Sequence, residues 1–123
     1  MILADSNILI SAAKGTYPAL ARFLVVHEPA FSAVSYVETL GYHAITPPEK
    51  RYIEKFFVGS VMLAIDDRVL RGAVRLRQAR KMALGDALIA ATALAHGCRL
   101  ATRNLQDFRW IPGLDVVDPL SIN

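Results

Sequence analysis

The chain has 123 residues, 54% of them hydrophobic and 20% charged, which excludes a disordered tail or a fibrous repeat. That length suits one domain, 1–123, whose core buries on the order of two thirds of the unfolded surface. The formal net charge of +3 permits a polyanionic partner without requiring one.

No apolar run approaches the ~20 residues of a membrane span, so no membrane association is expected. The opening MILADSN lacks the basic start and apolar core of a secretory signal, and the chain reads as cytoplasmic. A lone Cys98 cannot form an internal disulfide and reads as a small buried apolar residue.

Strand-like and helical segments alternate along the chain. ILAD (2–5) is a short apolar run ending at a charge. Helical patterns follow over 7–13 and 18–26, then a second strand, PAFSA, over 29–33. Residues 35–44 read as helix, and 48–58 as another with Pro near its first turn. VMLAI (61–65) is a third strand. The stretch 67–81 is helical and at first amphipathic, with Val69, Leu70, Ala73, Val74 and Leu76 on one face and Arg68, Arg71 and Arg75 opposite. A regular continuation would turn Arg77, Arg80 and Lys81 inward. The helix is therefore expected to end or bend near Arg77, aiming these three cations toward the loop that carries Gly85 and Asp86. A helix apolar all round, and so buried, runs from Asp86 to His96 and closes at Gly97. CRLAT (98–102) and LDVV (114–117) complete the strands. This alternation predicts an α/β fold, a parallel sheet covered by helices on both faces.

Acids sit where such a sheet builds its ligand sites, beyond the carboxyl ends of strands. Asp5 ends the first strand. Glu38 falls in the first turn of the helix after the second, Asp86 opens the buried helix, and Asp107 follows the fourth strand. Each also has a structural reading. Ser35-x-x-Glu38 is a capping-box pattern, Asp5 and Asp86 suit helix caps, and Asn104 with Asp107 suits a turn. The combination carries more weight than any member. Two carboxylates ~6 Å apart at an effective dielectric of ~20 repel by ~3 kcal/mol, and without a cation they should raise one another's pKa. Oxygen-only donors select a hard cation, Mg²⁺ or Mn²⁺, and such a cation beside basic residues suits phosphodiester hydrolysis.

DSN at 5–7, SYVE at 35–38, GDALIAATA at 85–93 and TRNLQDF at 102–108 resemble, in order and spacing, the PIN-domain nucleases, and within them the VapC toxins of toxin–antitoxin pairs. The resemblance implies a three-layer PIN-like fold with a central parallel sheet of strand order 3-2-1-4-5. It implies a metal-dependent endoribonuclease that leaves a 5′-phosphate and a 3′-hydroxyl. Asp5, Asp86 and Asp107 would approach the cation directly, and Glu38 through a water. Ser6, Asn7, Thr102 and Asn104 would support these acids or contact substrate, and Arg77, Arg80 and Lys81 would track RNA phosphates. A VapB-like antitoxin and a homodimer follow from the same likeness.

Other readings have less behind them. A haloacid-dehalogenase-type phosphatase needs a second Asp two residues after the first, and position 7 is Asn. No phosphate-binding GxxxxGK[ST] loop is present. His27, His43 and His96 lack metal-ligand spacing, and Tyr36, Tyr42, Phe56 and Phe57 read as core or subunit interface. A non-catalytic RNA- or partner-binding module is the remaining alternative. The acidic set weighs against it, because carboxylates weaken RNA binding unless a cation bridges them.

Overall fold

The computed structural model describes residues 1–122. In chain order the elements are β1 (Ile2–Ala4), α1 (Ser6–Lys14), α2 (Pro18–His27), β2 (Phe31–Ser32), α3 (Ala33–Leu40), α4 (Pro47–Gly59), β3 (Met62–Leu63), α5 (Asp67–Ala79), α6 (Leu84–His96), β4 (Arg99–Ala101), α7 (Leu105–Phe108) and β5 (Val116–Val117), then a 3-10 turn at Pro119–Ser121.

All pairings are parallel. β1 pairs with β4 through Leu3 and Leu100, β4 with β5 through Leu100 and Val116, and β2 with β3 through Phe31 and Met62. A single bridge between Leu3 and Ala30 joins the two ladders. Across it Ala4 N–H donates to Ala30 O at 2.9 Å and Ala30 N–H to Ile2 O at 2.8 Å. The ladders and the bridge give the order β3-β2-β1-β4-β5, with the join between β1 and β2 only one residue wide.

Side chains alternate across the strands and so feed two cores. Leu3 and Leu100 pack with Val69, Leu76, Ile89, Phe108 and Ile111. Ala4 and Ala101 pack on the other side with Leu9, Leu20, Phe23, Ile53 and Phe57. Helices α5, α6 and α7 thus cover one face, and α1, α2 and α4 the other, which makes three layers. No helix among the described residues is long and apolar enough to cross a membrane.

Several local expectations are corrected. Helix α3 begins at Ala33, where Ser32 caps it by accepting from Val34 N–H at 3.3 Å. Ser35 is therefore inside the helix and Glu38 lies beyond its first turn, so the Ser35–Glu38 capping box does not form. The reciprocal pair forms instead at Thr46 and Glu49, ahead of α4, where Pro47 at the helix start gives up no needed donor. Asp86 is the third residue of α6, whose N-cap is Ala83, so it is not the cap. The buried stripe of α5 is Val69, Ala73 and Leu76, while Leu70 and Val74 are 50% and 55% exposed. Leu84 and Leu94 are also exposed, so α6 is not buried all round.

Helix α5 continues two residues past Arg77 and ends at Ala79, close to the expected stop. Arg80 lies four residues past Leu76, and one more helical residue would put its charge on the buried stripe. The chain turns extended at Arg80, whose guanidinium sits over the Trp110 ring, 5.3 Å from its centroid. Arg77 stays exposed and its Nε donates to Met82 O at 3.2 Å. Lys81 is exposed and lines a groove between α5 and α6. Gly97 ends α6 in the left-handed conformation (φ 64°), as expected of a glycine at that position.

Candidate active site

The parallel pairing of β1 with β4 brings the carboxyl ends of these strands side by side, and each strand leads out into a polar residue. Asp5 follows β1 and donates its N–H to Ala101 O at 2.9 Å. Thr102 follows β4. Both are buried, and Thr102 Oγ1 donates to Asp5 Oδ2 at 2.8 Å. Asp5 holds the N-cap position of α1, where its carboxylate feels the Ser6 and Asn7 amides without closing a capping hydrogen bond, and its hydrogen-bond partner is Thr102.

Thr102 continues the connection outward. Its Oγ1 accepts from Asn104 N–H at 3.0 Å, and Asn104 Nδ2 donates to Asp107 Oδ2 at 2.5 Å. Asp107 sits on α7, a single turn of helix where a simple turn was expected. Trp110 Nε1 donates to Asp107 O at 3.0 Å, so the indole that carries the Arg80 guanidinium is fixed to the same turn.

Glu38 comes in from the other side. Ser6 Oγ lies 2.7 Å from Glu38 Oε1 and 2.7 Å from Ser35 Oγ. The Ser6 hydroxyl has one proton to give, and a carboxylate is the stronger acceptor. Asp86 is half-buried at the start of α6, where the helix dipole favours an anion.

The acids sense one another. Asp86 is pushed up from 3.8 to about 6, first by burial, then by the charges of Asp5, Asp107 and Glu38. Asp5 is also raised, first by burial and further by Glu38, against the Thr102 hydroxyl and the amides of Ser6 and Asn7. Mutual repulsion contributes as expected, but desolvation comes first, and Asp5 is only 4% exposed. Glu38 and Asp107 stand on the exposed rim. Among the described residues no three acidic, histidine or cysteine side chains converge closely enough to hold a metal ion as they stand. The donor chemistry still suits a hard cation, since the four acids offer oxygen ligands only.

A model of the PIN domain matches residues 2–113, a span that contains all four acids. The chain belongs to the PIN-domain family. Its structure is similar to a toxin–antitoxin complex from Klebsiella pneumoniae, with 30% identity, a TM-score of 0.77, and coverage of 99% of this chain and 100% of that one. It is also similar to VapBC2 from Rickettsia felis bound to a promoter DNA fragment (20% identity, TM-score 0.81, 96% and 98% covered). FitAcB from Neisseria gonorrhoeae gives 23% identity and a TM-score of 0.71, with 99% and 100% covered. At those identities the last two bear on the fold alone. No curated protein gives a significant sequence match.

In this PIN domain, the four acids named from the sequence meet at one sheet edge, together with Ser6, Thr102 and Asn104. Asn7 is exposed in the first turn of α1, beside Asp5. Arg80 reaches the Asp107 side through Trp110, whereas Arg77 and Lys81 lie on the rim of the α5–α6 groove. Sequence reasoning missed Ser35 and Trp110. The signal for Ser35 was its spacing of three from Glu38, which was read as a cap; Trp110 stands alone and carried none.

Proposed function

We propose that the whole chain acts as one Mg²⁺- or Mn²⁺-dependent endoribonuclease domain, the toxin of a toxin–antitoxin pair. The observation that carries the reading is the run of hydrogen bonds from Asp5 through Thr102 and Asn104 to Asp107. It ties two acids from distant segments into one edge, opposite Asp86, whose carboxyl feels the other three.

Asp5, Asp86 and Asp107 would hold the cation, with Glu38 acting through a water. When bound, the cation supplies Lewis acidity and offsets charge on the phosphate. The chain's residues do the rest. Asp5 is fixed at the floor by Thr102, so it provides a carboxylate of set orientation. Glu38, steadied by Ser6, accepts a hydrogen bond from the attacking water and orients it. Asp86, whose pKa is raised to about 6 without a cation, would bind one in its ionised form, at the start of α6. Water adds to phosphorus and loses a proton to solvent, the P–O3′ bond breaks, the departing O3′ takes up a proton from solvent, and the products are a 5′-phosphate and a 3′-hydroxyl. Arg80, held over Trp110, and the exposed Arg77 and Lys81 offer cations to flanking phosphates.

The likeness to the Klebsiella complex supports a VapB-like antitoxin as partner, and the family likeness supports a homodimer in the cytoplasm. The test is cleavage of total cellular RNA with added Mn²⁺, with EDTA, and with Asp5→Asn. Cleavage that needs the cation and the carboxylate is expected. Binding of RNA with no cleavage under any condition would leave only a binding module.

A further inference from the structure

We infer that Gly85 is a positioning residue for Glu38: the missing side chain at 85 is the space that the Glu38 carboxylate occupies. The inference rests on the nuclease reading of the site and adds a residue to it. If a Cβ were built on Gly85, its three nearest neighbours would be Glu38 Oε2, Glu38 Cδ and Glu38 Oε1. Oε2 would fall far inside contact distance and Cδ at 2.9 Å. All three atoms belong to one side chain, so a methyl group at 85 acts on Glu38 first.

Backbone strain does not explain this glycine. The glycines with positive φ are Gly15, Gly97 and Gly113, and Gly85 is not among them. It sits in the first turn of α6, where alanine is the better helix former. Gly72 presents the opposite case. A Cβ there would meet Ala91 Cβ at 3.2 Å, in the seam between α5 and α6, so Gly72 serves helix packing. At Gly85 the displaced group is the far end of a flexible, exposed side chain. It can swing away at little cost to the fold.

Glu38 is thus held from two sides. Ser6 Oγ fixes Oε1 at 2.7 Å, and the bare Cα of Gly85 admits Oε2 against the start of α6. A methyl group at 85 would turn the carboxylate out of this slot and break the Ser6 hydrogen bond.

The experiment compares wild type, Gly85→Ala, Glu38→Ala and the double variant. It reads RNA cleavage and the rise in melting temperature on titration with Mn²⁺ alone. Gly85→Ala should melt without metal at the wild-type temperature or above it. Its cleavage should fall ~10–100-fold, and the Mn²⁺ midpoint should move to higher concentration by a similar factor. In the Glu38→Ala background the change at 85 should add no further loss, because no carboxylate remains to displace. Wild-type cleavage and Mn²⁺ response in Gly85→Ala would overturn the inference while the nuclease reading stood. An equal further loss in the Glu38→Ala background would also overturn it, since Gly85 would then act without Glu38. A wild-type protein with neither cleavage nor a Mn²⁺ response would remove the nuclease reading itself and this inference with it.

Discussion

Asp86→Asn separates a metal-site acid from a structural one by a sign. Asp86 has its pKa raised from 3.8 to about 6, so its ionised form is disfavoured by folding. Each pKa unit is worth ~1.4 kcal/mol, which sets an upper bound of ~3 kcal/mol. Asp86 is half-buried, and solvent screening reduces this to ~1–2 kcal/mol. Against it stands the attraction of a carboxylate to the first turn of α6, ~0.5 kcal/mol, which asparagine forfeits. The net for metal-free Asp86→Asn is a gain of ~1 kcal/mol, or ~3–5 °C in melting temperature for a chain of this size.

The pH dependence follows from the same shift. Protonation of Asp86 favours the fold, a contribution that is full below 3.8 and lost as pH rises through about 6. The advantage of Asp86→Asn should therefore be complete near pH ~7.5 and close as pH falls toward ~4. A cation bound only by the folded form reverses the order, adding ~2.7 kcal/mol to wild type at a hundredfold excess over its dissociation constant. The assay is thermal melting of both proteins in EDTA and in excess Mn²⁺, across that pH range. A metal-free variant less stable than wild type would refute the desolvation argument and make Asp86 a helix-end residue. Equal Mn²⁺ shifts in the two proteins would take Asp86 out of the metal site.

Asp5→Asn, measured by RNA cleavage with folding checked by circular dichroism, should lose more than ~100-fold in rate, because it removes the charge that Thr102 orients. Changing Arg77, Arg80 and Lys81 together to Gln should reduce the slope of log binding constant against log salt by up to ~2, as fewer counterions are released. An unchanged slope in a filter-binding series would return all three to a solvated surface. Expression of the chain alone should arrest growth, and co-expression of the neighbouring gene's product should relieve it; harmless expression of an enzyme active in vitro would count against the toxin role only.

The sheet was legible because its strands are short apolar runs that end in polar residues and alternate with helices. The exact strand limits were not, because strands buried on both faces lose the two-residue period that marks an edge. PAFSA reads as five strand residues, yet only Phe31 and Ser32 pair in a ladder. The α5 face was misjudged for a related reason: Leu70 and Val74 are apolar and lie beside the stripe, but Val69, Ala73 and Leu76 already fill it. Helix α7 has four residues, too few for any period to show. The four acids proposed for the site could be named from the motifs that surround them. What joins them could not, since the Thr102–Asp5 bond spans 97 residues of sequence and the Ser6–Glu38 bond 32. Such contacts exist only once β1, β4 and α3 have been brought together.

The kind of partner each acid keeps argues for function more directly than its position does. Ion pairs among the described residues fall on Asp67, Asp115 and Asp118, each paired with an arginine on the outside of the fold. The site acids are held by neutral donors: Asp5 by a threonine hydroxyl, Glu38 by a serine hydroxyl, Asp107 by an asparagine amide. A chain with 14 basic residues against 11 acidic ones does not lack cations to place there. Neutral donors fix a carboxylate without cancelling its charge, so the negative potential survives for a ligand to use. The cost shows where burial is deepest, in the raised Asp5 and Asp86. A fold that kept these acids only as caps or turn residues would gain by pairing them with arginine. Leaving the charge standing is what the proposed cation site requires of these acids, and the nearest arginine on that side, Arg80, is held over Trp110 rather than paired with Asp107.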